Sequence, residues 1–169
     1  GNWNGIVGDL ELSVRDQVYF HDIQVFPNVQ QKTALVRLEI GNDSRREVTV
    51  DFGLEATGVR GGDRHVAPAF AGRTTAPPGI TTVEFNYALG NQTFLWDEFS
   101  PGLYTLDATL NAKASMWEYQ DARRVRFGLR EPGADKTQIT LNGKPIYLRG
   151  TLECSIFPLT GYPPTDVDA

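Results

Sequence analysis

Apolar and polar residues alternate with a period of two along much of this chain. Ala34, Val36, Leu38 and Ile40 interleave with Leu35, Arg37 and Glu39, and Val48, Val50, Phe52 and Leu54 interleave with Thr49, Asp51 and Glu55. Successive side chains of an extended strand point to opposite faces, so each run predicts a half-buried β-strand. Between them, Gly41-Asn42-Asp43-Ser44 supplies small polar residues that tolerate tight turns, and the two runs are expected to pair as a hairpin. An earlier run, Val18 to Val25, stops at Pro27, which cannot donate to a ladder, and predicts an edge strand. Further strands are predicted around Val83, Phe85 and Tyr87, around Tyr104, Leu106, Ala108 and Leu110, and around Val125, Phe127 and Leu129. Residues 58–79 hold five glycines and three prolines and read as loop.

No segment sustains a helical period. About seven strands over roughly 115 residues, separated by turn signals, predict an all-β fold of the immunoglobulin-like antiparallel β-sandwich type. After Glu131-Pro132-Gly133 the texture changes, because Gln138 to Leu141, the turn Asn142-Gly143, and Pro145 to Leu148 predict a short C-terminal β-hairpin. The tail from Phe157 to Ala169 carries three prolines and no periodicity.

Composition narrows the function. Hydrophobic residues make up 40% and charged residues 22% of the 169, values ordinary for a globular protein, and a chain of this length buries about two thirds of its unfolded surface. The net charge of −5 is spread along the chain, and no basic stripe exists to neutralise a phosphate backbone, so nucleic acid is not an expected partner. Cys154 is the single cysteine, which excludes an internal disulfide and a cysteine-cluster metal site. His21 and His65 stand 44 positions apart without ligand-like neighbours, and no metal or cofactor is expected. No apolar run approaches the ~20 residues of a membrane span, and the start at Gly1-Asn2-Trp3 reads as a segment cut from a longer protein. Two sequons, Asn42-Asp43-Ser44 and Asn91-Gln92-Thr93, are read as chance.

Three segments resemble the family 2 glycoside hydrolases, of the β-galactosidase and β-glucuronidase kind. Asn4-Gly5-Ile6-Val7-Gly8-Asp9-Leu10-Glu11-Leu12 is similar to the stretch that leads from that family's jelly-roll domain into its sandwich. Leu95-Trp96, then Ser100-Pro101-Gly102-Leu103-Tyr104-Thr105-Leu106, resembles the Leu-Trp…Asn-Pro-x-Leu-Tyr-x-Leu segment of the sandwich itself. Arg126-Phe127-Gly128-Leu129-Arg130-Glu131, followed by Leu141-Asn142-Gly143-Lys144-Pro145-Ile146-Tyr147-Leu148-Arg149-Gly150, resembles the junction into the catalytic barrel. The resemblance implies three regions: 1–16, the end of a sugar-binding jelly roll; 17–130, the sandwich; and 131–169, the hairpin and first strand of a (β/α)8 barrel. It also implies a role: a non-catalytic segment that positions the jelly-roll and barrel domains of a parent enzyme acting on carbohydrate O-glycosidic bonds. Parents of this kind are often exported, which implies a periplasmic or secreted setting.

The segment itself is expected to lack catalysis. A retaining glycosidase needs two carboxylates about 5 to 5.5 Å apart. The family draws both from its barrel, and no Asn-Glu dipeptide of the kind carrying its acid/base occurs here. A barrel needs roughly 200 residues or more, and fewer than 40 follow the sandwich. Asp51, Glu55, Glu84 and Asp107 fall on the polar faces of predicted strands, where solvation accounts for them. By the resemblance, Glu153 and Cys154 end the first barrel strand and line the pocket of an intact parent, although Cys154 reads equally as a small buried hydrophobe. After Gly150 this chain reads Thr151-Leu152-Glu153-Cys154, where many relatives place an asparagine and a histidine, so those sugar contacts are not carried over. Trp3, Trp96 and Trp117 could stack on sugar rings or fill cores. The alternatives are an autonomous carbohydrate-binding module, which needs exposed aromatics on one platform, and a protein-interaction sandwich.

Overall fold

The computed structural model describes residues 10–150. The chain forms two compact units, a large one of Arg15–Ile146 and a small one of Gly1–Val14 with Tyr147–Ala169. The described residues of the small unit, 10–14 and 147–150, contain no strand. No helix among the described residues is long and apolar enough to cross a membrane.

The larger unit is all-β and antiparallel. One sheet holds β1 (Val18–Asn28), β2 (Thr33–Asn42) and β6 (Gly79–Ala88), in the order β1-β2-β6. The other is built on β3 (Val48–Arg60), which pairs with β7 (Leu103–Ala114), which in turn pairs with β8 (Trp117–Phe127). The remaining edge of β3 is shared by β5 (Phe70–Ala76) along Val48–Leu54 and β4 (Asp63–Val66) along Thr57–Arg60. With β4 and β5 counted as one interrupted edge strand, three strands face four, as an immunoglobulin-like sandwich requires. The inward members of each alternating run form the core, among them Val36, Leu38, Ile40, Val50, Leu54, Leu106 and Leu110.

Two expectations are corrected. Strands β2 and β3 do not form a hairpin: they lie in different sheets, and residues 43–47 cross between them. Asn42 makes that corner. It is 1% exposed; its Nδ2 donates to the carbonyls of Arg46 (2.7 Å) and Ala76 (2.8 Å), and its Oδ1 accepts from the Ser44 amide (3.0 Å) and hydroxyl (2.6 Å). A glycan on the first sequon would need that buried, doubly used nitrogen.

The second correction is the 58–79 window, which forms β4, β5 and the end of β3 instead of a loop. Gly58 and Gly72 misled because they are strand residues that make room for rings. A Cβ at Gly58 would lie 2.5 Å from Tyr104 Cζ, and one at Gly72 would lie 2.7 Å from Phe52 Cε2. Of the five glycines in this window, Gly61 (φ 55°), Gly62 (φ 100°) and Gly79 (φ 109°) take the backbone shape that favours glycine.

Strand edges are closed by side chains. On β8 the Gln120 amide donates to Asp16 Oδ2 and the Ala122 amide to Asp121 Oδ1, while Asp121 Oδ2 accepts from the Phe20 amide of β1. These carboxylates use backbone donors that would otherwise invite a foreign strand. Beyond β8, the short strands β9 (Pro132–Asp135), β10 (Gln138–Leu141) and β11 (Lys144–Pro145) make a small separate sheet, so the expected C-terminal hairpin is present but its second arm is shorter than predicted.

Candidate functional site

Strand direction gives the sandwich two ends. At one end β1 begins, β2 finishes and β7 turns into β8; at the other lie the turns after β1 and β3, the segment 89–102, and β9–β11. The second end gathers the segments whose motifs stood out in the sequence.

Tyr104 anchors it. It opens β7 with no exposed surface, because Leu103-Tyr104-Thr105-Leu106 alternates outward and inward and the ring falls on the inner side. Its hydroxyl accepts from the Phe94 amide (2.9 Å) ten residues upstream, the geometry of a tyrosine corner, and pairs with His65 Nδ1 (2.8 Å). Burial raises the Tyr104 phenol above its ordinary value, with the Phe94 amide opposing. The His65 ring meets Phe94 and Tyr104 edge-on, at 5.9 and 5.8 Å between centroids, and the Arg60 guanidinium lies 4.5 Å from the Phe94 centroid.

Trp96 forms the next layer. Its amide donates to the Leu129 carbonyl (3.0 Å), extending the line of β8 by a parallel bridge between Leu95 and Leu129. Its side chain lies against Gly128, where an added Cβ would sit 3.1 Å from Trp96 Cβ, and the Arg130 guanidinium lies 5.4 Å from the indole centroid. A shallow cleft of about 350 Å³ runs beside it, lined by Leu103, Phe127 and the exposed Arg126 and Arg130.

Asn142 ties β9–β11 to this layer. Its Nδ2 donates to the carbonyl of Trp96 (2.9 Å) and, more weakly, to that of Leu129 (3.5 Å), while its Oδ1 accepts from the Glu131 amide (2.8 Å). The Asn142 amide donates to the Glu131 carbonyl (2.9 Å). The sequence marked Asn142-Gly143 as a turn; what it hid is that the same side chain reaches a residue 46 positions away.

The other residues singled out in the sequence do not converge here. Asp51 pairs with Arg73, Glu84 with Arg37 and Asp107 with Arg124, all on outer faces, while Glu55 is exposed without an ion pair among the described residues. The hydrogen bond from Arg73 holds the Asp51 carboxyl below its ordinary value. Trp117 is 54% exposed at the opposite end, 5.7 Å from the Arg46 guanidinium, so it forms no platform with Trp96. His21 sits at the β1 bulge, and the described residues hold no group of three potential metal ligands. Trp3, Glu153 and Cys154 lie outside the described residues.

Comparison with known proteins places this arrangement. Residues 18–130 match the family model described as "Glycosyl hydrolases family 2". Solved structures with the same fold include the β-glucuronidase of Bacteroides uniformis, at 22% identity and a TM-score of 0.62, aligned over 80% of this chain and 17% of that one. The β-glucuronidase of Parabacteroides merdae aligns at 25% identity and a TM-score of 0.54, over 80% and 16%. The exo-chitosanase of Amycolatopsis orientalis aligns at 21% and 0.51, again over 80% and 16%. The chain therefore spans about a sixth of the length of these structures. No curated protein matches it.

Proposed function

Because the chain belongs to the glycosyl hydrolases of family 2, we propose that it is the non-catalytic sandwich of a larger retaining glycosidase, positioning that enzyme's sugar-binding and catalytic domains. In this reading residues 1–16 finish a jelly roll, 17–130 form the sandwich, and 131–169 begin a barrel whose pocket receives Glu153 and Cys154. The enzyme's substrate is a carbohydrate held by the barrel.

One observation carries the reading. Three separated segments, Leu95-Trp96, Phe127–Arg130 and Leu141-Asn142, meet at one end of the sandwich through main-chain contacts and a buried tyrosine. Such an arrangement fixes direction. The carboxylates that stood out in the sequence and are held by arginines, Asp51, Glu84 and Asp107, lie on outer faces away from it. Nor does it favour a sugar platform, since Trp96 is flanked by Gly128 and Arg130 and Trp117 is at the far end.

Calorimetric titration of the chain with a panel of oligosaccharides, paired with assays on chromogenic glycosides, tests this. Neither binding nor turnover is expected. Millimolar or tighter binding of any one sugar would overturn the positioning role in favour of a carbohydrate-binding module.

A further inference from the structure

We propose that Asn142 is the latch of the β9–β11 sheet, and that Asn142-Gly143 is a deamidation site which this latch keeps closed until the sheet detaches. Asn142 (φ 52°) and Gly143 (φ 75°) are the two central residues of the tight turn joining β10 to β11, with Leu141 opposite Lys144 on either side. Positive φ at both positions is the type I′ geometry that Asn-Gly favours. An asparagine followed by glycine is also where the chain is chemically weakest, because no side chain shields the next backbone nitrogen.

The reaction is intramolecular. The Gly143 backbone nitrogen, losing its proton to solvent base, attacks Asn142 Cγ; the N–Cγ bond forms, the Cγ–Nδ2 bond breaks, and Nδ2 leaves as ammonia after taking up a proton. The product is a succinimide. Water then opens either of its carbonyls, giving aspartate or isoaspartate. No redox step or cofactor is involved.

In the folded chain the reacting group is tied elsewhere. The leaving nitrogen donates to the Trp96 and Leu129 carbonyls and the carbonyl oxygen accepts from the Glu131 amide, so swinging Cγ onto Gly143 means giving up all three bonds. Reaction must wait for a local opening of the small sheet. The change is then one-way. A carboxylate at this position has no hydrogen to offer the Trp96 and Leu129 carbonyls, and two acceptors face each other where a donor and an acceptor had met. The small sheet loses its tether to the sandwich, while β1–β8 keep theirs.

Two measurements test the proposal. The chain is incubated at mildly alkaline pH, folded and in urea, and amide loss at Asn142 is followed by peptide mass mapping. Folding is expected to slow the loss by at least about tenfold, the factor set by the rarity of local opening; equal rates would overturn the closed latch. Separately, hydrogen exchange is compared between the parent and Asn142→Asp, which installs the product directly. The Glu131 and Asn142 amides are expected to exchange at least about tenfold faster in the variant, with β3 and β7 unchanged. Protection equal to the parent's would overturn the latch. Should Asn142→Asp fail to fold, Asn142→Ala removes the two donor bonds, and the acceptor for the Glu131 amide as well, without adding a charge, and is read by the same criterion.

Discussion

At the scale of single residues, two buried tyrosines do what no apolar ring could. Tyr87 on β6 accepts from the Ala56 amide of β3 (3.2 Å), at the gap between β4 and β5 where no strand residue is paired with Ala56 on that side, and Tyr104 accepts from Phe94. Burial raises both phenols above their ordinary 10.0, while the amide donors oppose the shift. The folded chain therefore favours the protonated phenols more than the unfolded chain does. Their contribution is fully present below about pH 10, where unfolded tyrosine begins to ionise, and is lost as pH climbs through the raised values. Urea midpoints measured between neutral pH and pH 11 should fall above 10, and less so in Tyr104→Phe; a flat profile across that window would refute the assignment. The glycines separate just as cleanly. Gly58→Ala puts a Cβ into the Tyr104 ring and is expected to cost about 1–3 kcal/mol in denaturant unfolding, whereas Gly61→Asn keeps a residue tolerant of positive φ in open space and should be nearly neutral. Sequence alone could not tell these glycines apart, because a turn and a ring contact both ask for the same missing Cβ.

At the scale of elements, alternation located the strands but not their partners. The runs at 34–40 and 48–54 were legible because their inner residues are all apolar; which sheet each joined was not, since a period of two is silent about neighbours. Asn42 decided it, turning the chain from one sheet to the other and holding the end of β5 through the Ala76 carbonyl. Asn42→Ala strands two buried carbonyls and is expected to destabilise the chain by about 1–3 kcal/mol in chemical denaturation. Asn91→Ala, at the exposed second sequon, is the comparison and should change the midpoint little. Were the two substitutions to cost the same, Asn42 would be a turn residue and not the corner of the fold. The Leu-Trp and Leu-Asn-Gly motifs were visible too, yet their meeting was not, because it runs through hydrogen bonds between residues 46 apart.

At the scale of the whole molecule, the proposed positioning role requires rigidity along the strands. Within the larger unit, β1 begins at the end where the Asp43 amide meets the Gln17 carbonyl, and β9–β11 are tied at the opposite end by Asn142. Strands of 10 to 13 residues separate the two, a span of about 30–40 Å at the usual rise per residue. Sheets joined by a continuous core do not stretch, and Asp16 and Asp121 close the edges of β1 and β8 near the end where β1 begins. A spacer of this kind has one length. Spin labels at Arg45 and Lys144, with Cys154 replaced by serine, should report a single narrow distance within about 30–40 Å. The same pair in Asn142→Ala should broaden at the Lys144 end while the urea midpoint of the sandwich moves little, because the tether is lost and the core is not. A distribution already broad in the parent would mean that the small sheet swings freely, and a joint that swings cannot serve the positioning role proposed for it.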